Sequence, residues 1–459
     1  PPRSTLFPYT TLFRSGVSLN AEFYQAATPG QPYQVAMQRG VRMYHDQTAR
    51  PLNDLRWEMF TLLAHGAQVT VVDKTPYNGT LDPVTYDRLG KLFAEVHAKR
   101  DTFRHTPLRE VGLYYSSRSR DWYGREEPSK YMQPFYGAQR ALVYEHIQFG
   151  VLLDENRSIE TLRQYPVVLL PNTPILSEKE VTLFEEYVRG GGILIATGIT
   201  GLYDAMGAPR TTGALDDFAG VELVRILESR DNHVRFVHSD TAADPVAGDI
   251  PRDCPFLMEG PAAVFRAKDA ATFGELMEPD RTVRQMQGKE GFGWPMSAKG
   301  PIGPAVFSRT VGQGKVILVS CSPDAATGGE HPIVEARKFL AGLVRWLEPA
   351  PPVRVTAPPN VETVIQRDET RQAYLVHLIG YQAPPSCTPE KNRPYVLPSL
   401  IETPPMYRAV IEVKGKSFGL VEKCNRSTAL NQESSNGRMR IEATIEDIHE
   451  VIVIPCEAN

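Results

Sequence analysis

Six polar side chains near the amino end combine reactive type with suggestive placement: Glu22, Arg42, His45, Asp46, Asp73 and Lys74. Glu22 lies toward the end of GVSLNAEFY, which reads as a strand, and a carboxyl at a strand end can move a proton when a second carboxyl faces it. It can equally bind a hydroxyl or pair with Arg42. The run YHDQ sets His45 beside Asp46, suited to hydrogen-bonding a polyol and also to forming a structural pair. Asp73 and Lys74 end VTVVD, a stretch of core character, where charge is tolerated because the chain leaves the core there. Asp73 can line a substrate rim or cap the next loop. Tyr77 and Trp57 are candidate stacking faces, although Trp57 sits on an amphipathic helix and suits burial between helix and sheet.

The elements that must position these residues alternate. Strands are expected at Val17–Tyr24, Val35–Tyr44 and Ala67–Asp73, the second broken by Gly40. RPLNDLRWEMFTLLAHG reads as a helix with Leu52, Leu55, Met59, Leu62 and Leu63 on one face and Gly66 as its stop. LDPVTYDRLGKLFAEVHAKRD reads as another, with Asp82 as N-cap and Pro83 at the first position. Strand and helix in alternation is the unit of parallel α/β architecture.

A second α/β unit opens with LREVGLYYS. A helix over about Tyr136–Phe149 follows, then the strand YPVVLLPN, a helix capped by Ser177 with Glu180 three residues on, and the strand GILIATG. GPAVFSRTVGQGKVILVSCSPD reads as a hairpin turning at Gly312–Gly314, and HPIVEARKFLAGLVRWLEP as a closing helix. The pattern implies a doubly wound, flavodoxin-like domain interrupted by an antiparallel insertion of about a hundred residues. Beyond the proline-rich linker EPAPPVRVTAPP, segments of period two (VETVIQRD, QAYLVHLIGY, YRAVIEVKG, RMRIEATI, HEVIVIP) imply a small antiparallel sandwich, with Gln432–Gly437 as an exposed hairpin loop. The expected domains are 16–106, 107–349 and 350–459.

Of 459 residues, 42% are hydrophobic and 23% charged, the balance of a globular protein. Fifty basic against 54 acidic residues and no basic block point away from nucleic acid. No apolar run is long enough for a membrane span. Five scattered cysteines, none in a Cys-x-x-Cys pair, point away from zinc and disulfides and favour a reducing, cytoplasmic compartment. No cofactor motif is present: RGGGI and GQGK lack phosphate-loop spacing. Sequons stand at Asn78, Asn156 and Asn425. The first fifteen residues, PPRSTLFPYTTLFRS, fit neither a signal nor a transit peptide. They back-translate into DNA that looks like a short-read sequencing adapter, so Pro1–Ser15 is expected to be adapter sequence joined to a gene fragment whose native start lies upstream.

The order of parts resembles the C-terminal portion of glycoside hydrolases with a β-galactosidase trimerisation domain, related to hypothetical α-L-fucosidase and β-galactosidase-like enzymes. The most specific stretches are EMFTLLAHGAQVTVVDKTPYNGTLDPVTYDRLGKLFAEV, VVLLPNTPILSEKEVTLFEEYVRGGGILIATG, GPAVFSRTVGQGKVILVS and AYLVHLIGY. The resemblance implies the tail of a (β/α)8 TIM barrel, then an amidotransferase-like α/β domain, then a β-sandwich. The three amino-terminal strands would be the sixth, seventh and eighth of the barrel. Since barrel chemistry sits at the C-terminal strand ends, Glu22 becomes a catalytic candidate, and Arg42, His45, Asp46, Asp73 and Lys74 become candidates for substrate binding. Such enzymes use two carboxyl groups, and at least one belongs to the fourth strand, which precedes this sequence. The resemblance therefore implies a parent that cleaves a terminal sugar from an oligosaccharide or glycoside without metal or cofactor, a homotrimer formed through the second domain, and a fragment inactive alone.

Two rivals belong to other classes. An amidotransferase needs a nucleophilic cysteine at a strand-to-helix elbow, but after GILIATG the sequence offers Thr200, and Cys321 in SCSPD lacks the elbow glycines. A non-catalytic oligomerisation or carbohydrate-binding module would use the terminal β-domain, whose Tyr374, Tyr381, Tyr395, Tyr407 and Phe418 are scattered along the chain rather than grouped.

Overall fold

A computed structural model of the chain describes residues 16–41, 48–73, 75–238, 245–280, 298–329, 332–348, 350–382, 400–424 and 430–457. The adapter-like Pro1–Ser15 lies outside them. The chain forms two compact units, residues 1–108 together with 351–459, and residues 109–350.

The first unit begins α1 (Gly16–Ala27), β1 (Gln34–Gln38), α2 (Leu52–Ala64), β2 (Gln68–Val72), α3 (Pro83–Ala98). The strand expected at Val17–Tyr24 is a helix. Val17, Leu19 and Ala21 alternate with polar residues, which mimics a strand, but Ser18 and Glu22 are buried too, and positions 17, 18, 21 and 22 form one helical face. The strand expected at Val35–Tyr44 is confined, among described residues, to β1, because the chain turns at Gly40, which bridges Ala49. Asp82 caps α3 by accepting from the Val84 amide, and Gly66 ends the α2 segment at φ 86°. β1 and β2 run parallel, from Gln34 opposite Gln68 to Gln38 opposite Val72. Parallel strands are ordinarily covered on both faces. Here Met37 alone is fully buried in β1, and no residue is in β2. The segment ends in the short strand β3 (Thr106–Pro107).

The second unit is built on β4 (Val111–Tyr115), β5 (Phe149–Leu153), β6 (Val167–Leu170), β7 (Ile193–Thr197), β8 (Val221–Ile226), β9 (His233–Arg235), β10 (Phe256–Leu257), β11 (Ala263–Ala267), β12 (Ala271–Pro279), β13 (Ala298–Val311) and β14 (Gly314–Val319). The main sheet runs β10-β9-β12-β13-β14-β7-β6-β4-β5. The five strands β5-β4-β6-β7-β14 are parallel, the doubly wound part, and β13, β12, β9 and β10 continue it antiparallel. β8 and β11 pair separately. The helices are α4 (Ser129–Tyr144), α5 (Ile159–Leu162), α6 (Glu178–Arg189), α7 (Asp216–Ala219), α8 (Pro323–Gly328) and α9 (Val334–Leu347). α4 starts well before the expected Tyr136, with Pro134 carried inside it, and Phe149 belongs to the buried strand β5 that the helical reading hid. The Ser177/Glu180 capping box is fully formed.

The chain then returns to the first unit with β15 (Val353–Thr356), β16 (Val361–Asp368), β17 (Ala373–Gly380), β18 (Tyr407–Lys414), β19 (Ser417–Phe418), β20 (Glu422–Lys423), β21 (Asn431–Ser435), β22 (Arg438–Ile445) and β23 (His449–Glu457). One sheet runs β15-β18-β22-β21 and the other β19-β23-β17-β16-β3, with β20 also on β23. Residues of both sheets, among them Val355, Ile411, Ile441, Val376 and Ile452, share one apolar core. The expected loop Gln432–Gly437 is mostly the edge strand β21, with the turn confined to Asn436 and Gly437, both at positive φ as a two-residue hairpin requires. Every residue of β16 and β17 is buried, where period two predicted one wet face. The cause is a second core on that face, in which Val17, Ala21, Trp57 and Leu62 of α1 and α2 meet Val364 and Ile379. Trp57 is buried there, edge-on to Tyr381 at 5.6 Å between centroids.

Candidate functional site

β1 and β2 end in register, so the next residues of each, Arg39 and Asp73, emerge side by side. The Arg39 amide donates to the Val72 carbonyl, and its Nε donates to Asp73 Oδ1 at 2.6 Å. Both side chains are nearly enclosed, at 4% and 11% exposure, which strengthens the pair relative to one in water. Asp73 Oδ2 is buried and accepts no hydrogen bond among the described residues. That leaves one acceptor at the carboxyl end of two parallel strands with capacity for a donor.

Below this pair stands a second charged group that the sequence reading did not single out. Arg50 is buried and donates from Nε to Asp54 Oδ2 at 2.8 Å and from Nη1 to the Gln38 carbonyl at 2.8 Å, while Nη1 lies 2.5 Å from Glu58 Oε2. Burial alone would lower its pKa, but Glu58 and Asp54 outweigh it and raise it. The Arg50 carbonyl in turn accepts from Arg88 Nη1 at 2.8 Å. Residues 50, 54 and 58 recur every four positions at the start of α2, a spacing that could have found them. They fix the end of β1 and with it Arg39.

Glu22 is elsewhere. On α1 rather than at a strand end, and buried, it bonds His65 Nδ1 at 2.7 Å, and His65 Nε2 meets Glu362 Oε1 of β16 at 2.9 Å. Burial works against charge on the imidazole, yet hydrogen bonds to the two carboxylates hold its pKa at about 10. An imidazolium between two carboxylates ties α1, the end of α2 and β16 together. Arg42, His45, Asp46 and Lys74 lie outside the described residues. Tyr77 is fully exposed.

The second unit was the setting of the amidotransferase alternative. In its strand order the site position is the switch point between the carboxyl ends of β4 and β6. Ser119 Oγ fills it, donating to the Ile175 carbonyl at 3.3 Å and accepting from the Ile175 amide at 3.2 Å. At the ends of β6, β7 and β14 lies a wholly buried polar cluster: Asp324 Oδ2 is 2.5 Å from Thr197 Oγ1, and Ser322 Oγ is 3.3 Å from Asn172 Oδ1. Gly198, at φ 62°, allows this packing, since a Cβ there would stand 2.1 Å from Ser322 Oγ. Burial pushes the Asp324 carboxyl up to about 7, and burial followed by Asp324 pushes the Cys321 thiol far above its usual range. A protonated, enclosed thiol is not a nucleophile. Among the described residues, no cluster of three metal-binding side chains occurs and no helix is long and apolar enough to cross a membrane.

Comparison with known proteins agrees with this division. Residues 109–330 match the family model described as the beta-galactosidase trimerisation domain. No curated protein matches the chain in sequence. Among solved structures, alpha-L-fucosidase isoenzyme 2 of Paenibacillus thiaminolyticus aligns over 99% of this chain and 64% of its own length, with TM-score 0.78 and 19% identity. A beta-galactosidase of G. stearothermophilus aligns over 96% of this chain and 56% of its own (TM-score 0.66, 13% identity). That of Bacillus circulans sp. alkalophilus aligns over 96% and 58% (0.65, 15%). The chain spans less than two thirds of the length of each. Its mixed α/β fold is one also found in glycoside hydrolases, and its residues 109–330 are similar to the beta-galactosidase trimerisation domain.

Proposed function

We propose that the chain is the C-terminal part of a glycoside hydrolase that removes a terminal galactose- or fucose-type sugar, with β1 and β2 as the last two strands of its (β/α)8 barrel. The observation that carries this reading is the trimerisation-domain match placed directly after a parallel βαβα segment. The thin cover on β1 and β2 supports it, because barrel strands lie between two neighbours and under a ring of helices. The carboxylate pair comes from earlier barrel strands of the parent. Asp73, held by Arg39, lies at the substrate rim and accepts a sugar hydroxyl through Oδ2, with Arg42, His45, Asp46 and Lys74 as further rim residues. Glu22 takes no part beyond holding His65. The second unit assembles three copies.

The test is to recover the gene upstream of Gly16, express the longer protein beside the present chain, and assay both on nitrophenyl β-galactoside and α-L-fucoside, with light scattering for mass. The expected result is turnover by the longer protein only, and a trimer. Equal turnover by the present chain, or a longer protein inactive on every glycoside tried, overturns the proposal.

A further inference from the structure

In the terminal β-region of the first unit, the mouth between the two sheets opens into a groove of about 580 Å³. One wall is the β21–β22 hairpin and the other is the segment that crosses from β18 through β19. Two ties set the walls apart at fixed distance: the Gly415 amide donates to the Gly437 carbonyl at 3.1 Å, and the Val421 amide donates to Gln432 Oε1 at 3.3 Å. Gly415 is required there, since a Cβ would stand 2.2 Å from Cys456 Sγ.

The lining is chemically uneven. Gln432, Ser434 and Asn436 present amides and a hydroxyl, Phe418 presents a half-buried ring, and Lys416 and Arg438 are cations. Among the described residues, no acidic side chain lines the groove. Glu433 of β21 lies opposite Arg440 in register and does not line the groove, whereas Arg438, next to the turn, does. Neither Lys416 nor Arg438 forms an ion pair among the described residues, although Arg408 and Arg440 of the same sheet are both paired to Glu442.

We infer that this groove binds an anionic oligosaccharide. A chain of sugar rings needs closely spaced partners that both donate and accept, which amides and hydroxyls supply, and an aromatic face for its C–H surface. Two unpaired cations in a groove without carboxylates select against neutral glycans and for carboxylate or sulfate substituents. A peptide added to the free edge of β21 would be held by its backbone and would leave both cations unused. The inference goes beyond the hydrolase reading and needs no turnover for its test.

The test is titration of the full chain with a galacturonate hexasaccharide, a sulfated galactan hexasaccharide, a neutral galactose hexasaccharide and hexaglutamate, at low and at physiological salt. One or both acidic glycans should bind, which also tells carboxylate from sulfate recognition. The neutral glycan and the peptide should bind at least tenfold more weakly. Affinity should fall with salt, and K416A/R438A should lose about tenfold, as two exposed charges allow. Ser434→Trp should block the groove without touching either charge. Binding of hexaglutamate or the neutral glycan as tight as the acidic glycans, an unaltered affinity in K416A/R438A, or no binding of either acidic glycan overturns the inference.

Discussion

Replacing Asp324 by Asn should make the second unit more stable, and increasingly so as pH rises. Asp324 is wholly buried at the ends of β6, β7 and β14, next to Thr197 Oγ1, with its Oδ1 accepting from the Ala325 amide. Its carboxyl titrates at about 7 in the folded chain against 3.8 when free. The folded state therefore keeps a proton that the unfolded chain gives up, and stability declines as pH rises from about 4 to 7, then levels. The span is about three pH units at about 1.4 kcal/mol each, so the wild type loses about 4 kcal/mol relative to a side chain that does not titrate. Asparagine copies the protonated form, with an oxygen for the Ala325 amide and an N–H toward Thr197. Amide hydrogen exchange on peptides from β7 and β14, compared between the two proteins at each pH, reads the difference locally. The gap should be small near pH 4, widen by about 1.4 kcal/mol per pH unit to pH 7 and then stay constant. A gap that does not change from pH 4 to 8 would mean that Asp324 is ionised in the fold, and the reasoning would fail.

Other outcomes follow from neighbouring sites. His65, its pKa raised to about 10, should show a charged imidazole by NMR at pH 8, and its stabilisation should be complete below 6.5 and disappear as pH rises through about 10. Glu22→Gln should lower that midpoint, whereas titration near 6.5 in the wild type would exclude the bonded triad. His377 and His449 stack at 5.4 Å, and burial lowers both, His377 to about 3. Their contribution is complete above 6.5 and is lost as pH falls toward 3, so His377→Phe should move the acid unfolding midpoint to lower pH, as near-UV circular dichroism can follow. Ser177→Ala removes the α6 cap and should cost about 1 kcal/mol in urea melts. Gly198→Ala meets both positive φ and a 2.1 Å approach, and should cost about 3 kcal/mol or more, seen as insoluble or early-melting protein.

Legibility in the sequence tracked locality. The caps at Asp82 and Ser177 and the Gly66 stop could be read because each involves residues within a turn of one another. The strand over Val17–Tyr24 failed because five alternating residues cannot outvote a buried helical face supplied by the rest of the fold. β5 was hidden since an apolar run after a helix continues its pattern. The Glu22–His65–Glu362 bonds join residues 43 and 297 apart, and no local pattern carries such a link. The two-sided burial of β16 and β17 failed for the same reason: the helices that cover them stand at the other end of the chain.

That last arrangement bears on the order in which the protein can acquire its structure. Residues 109–350 are continuous and hold all the strands of their own sheets, so they can fold as soon as they leave the ribosome. Trp57, Leu62 and their neighbours instead wait for Val364 and Ile379, more than three hundred residues later, before their apolar surface is covered. At about 5–20 residues per second, that surface stays open for roughly fifteen seconds or more during synthesis. The amino-terminal helices are therefore the part of the chain that a chaperone would be expected to hold, and truncation anywhere before β16 should leave them as an aggregation nucleus although the middle of the protein folds normally.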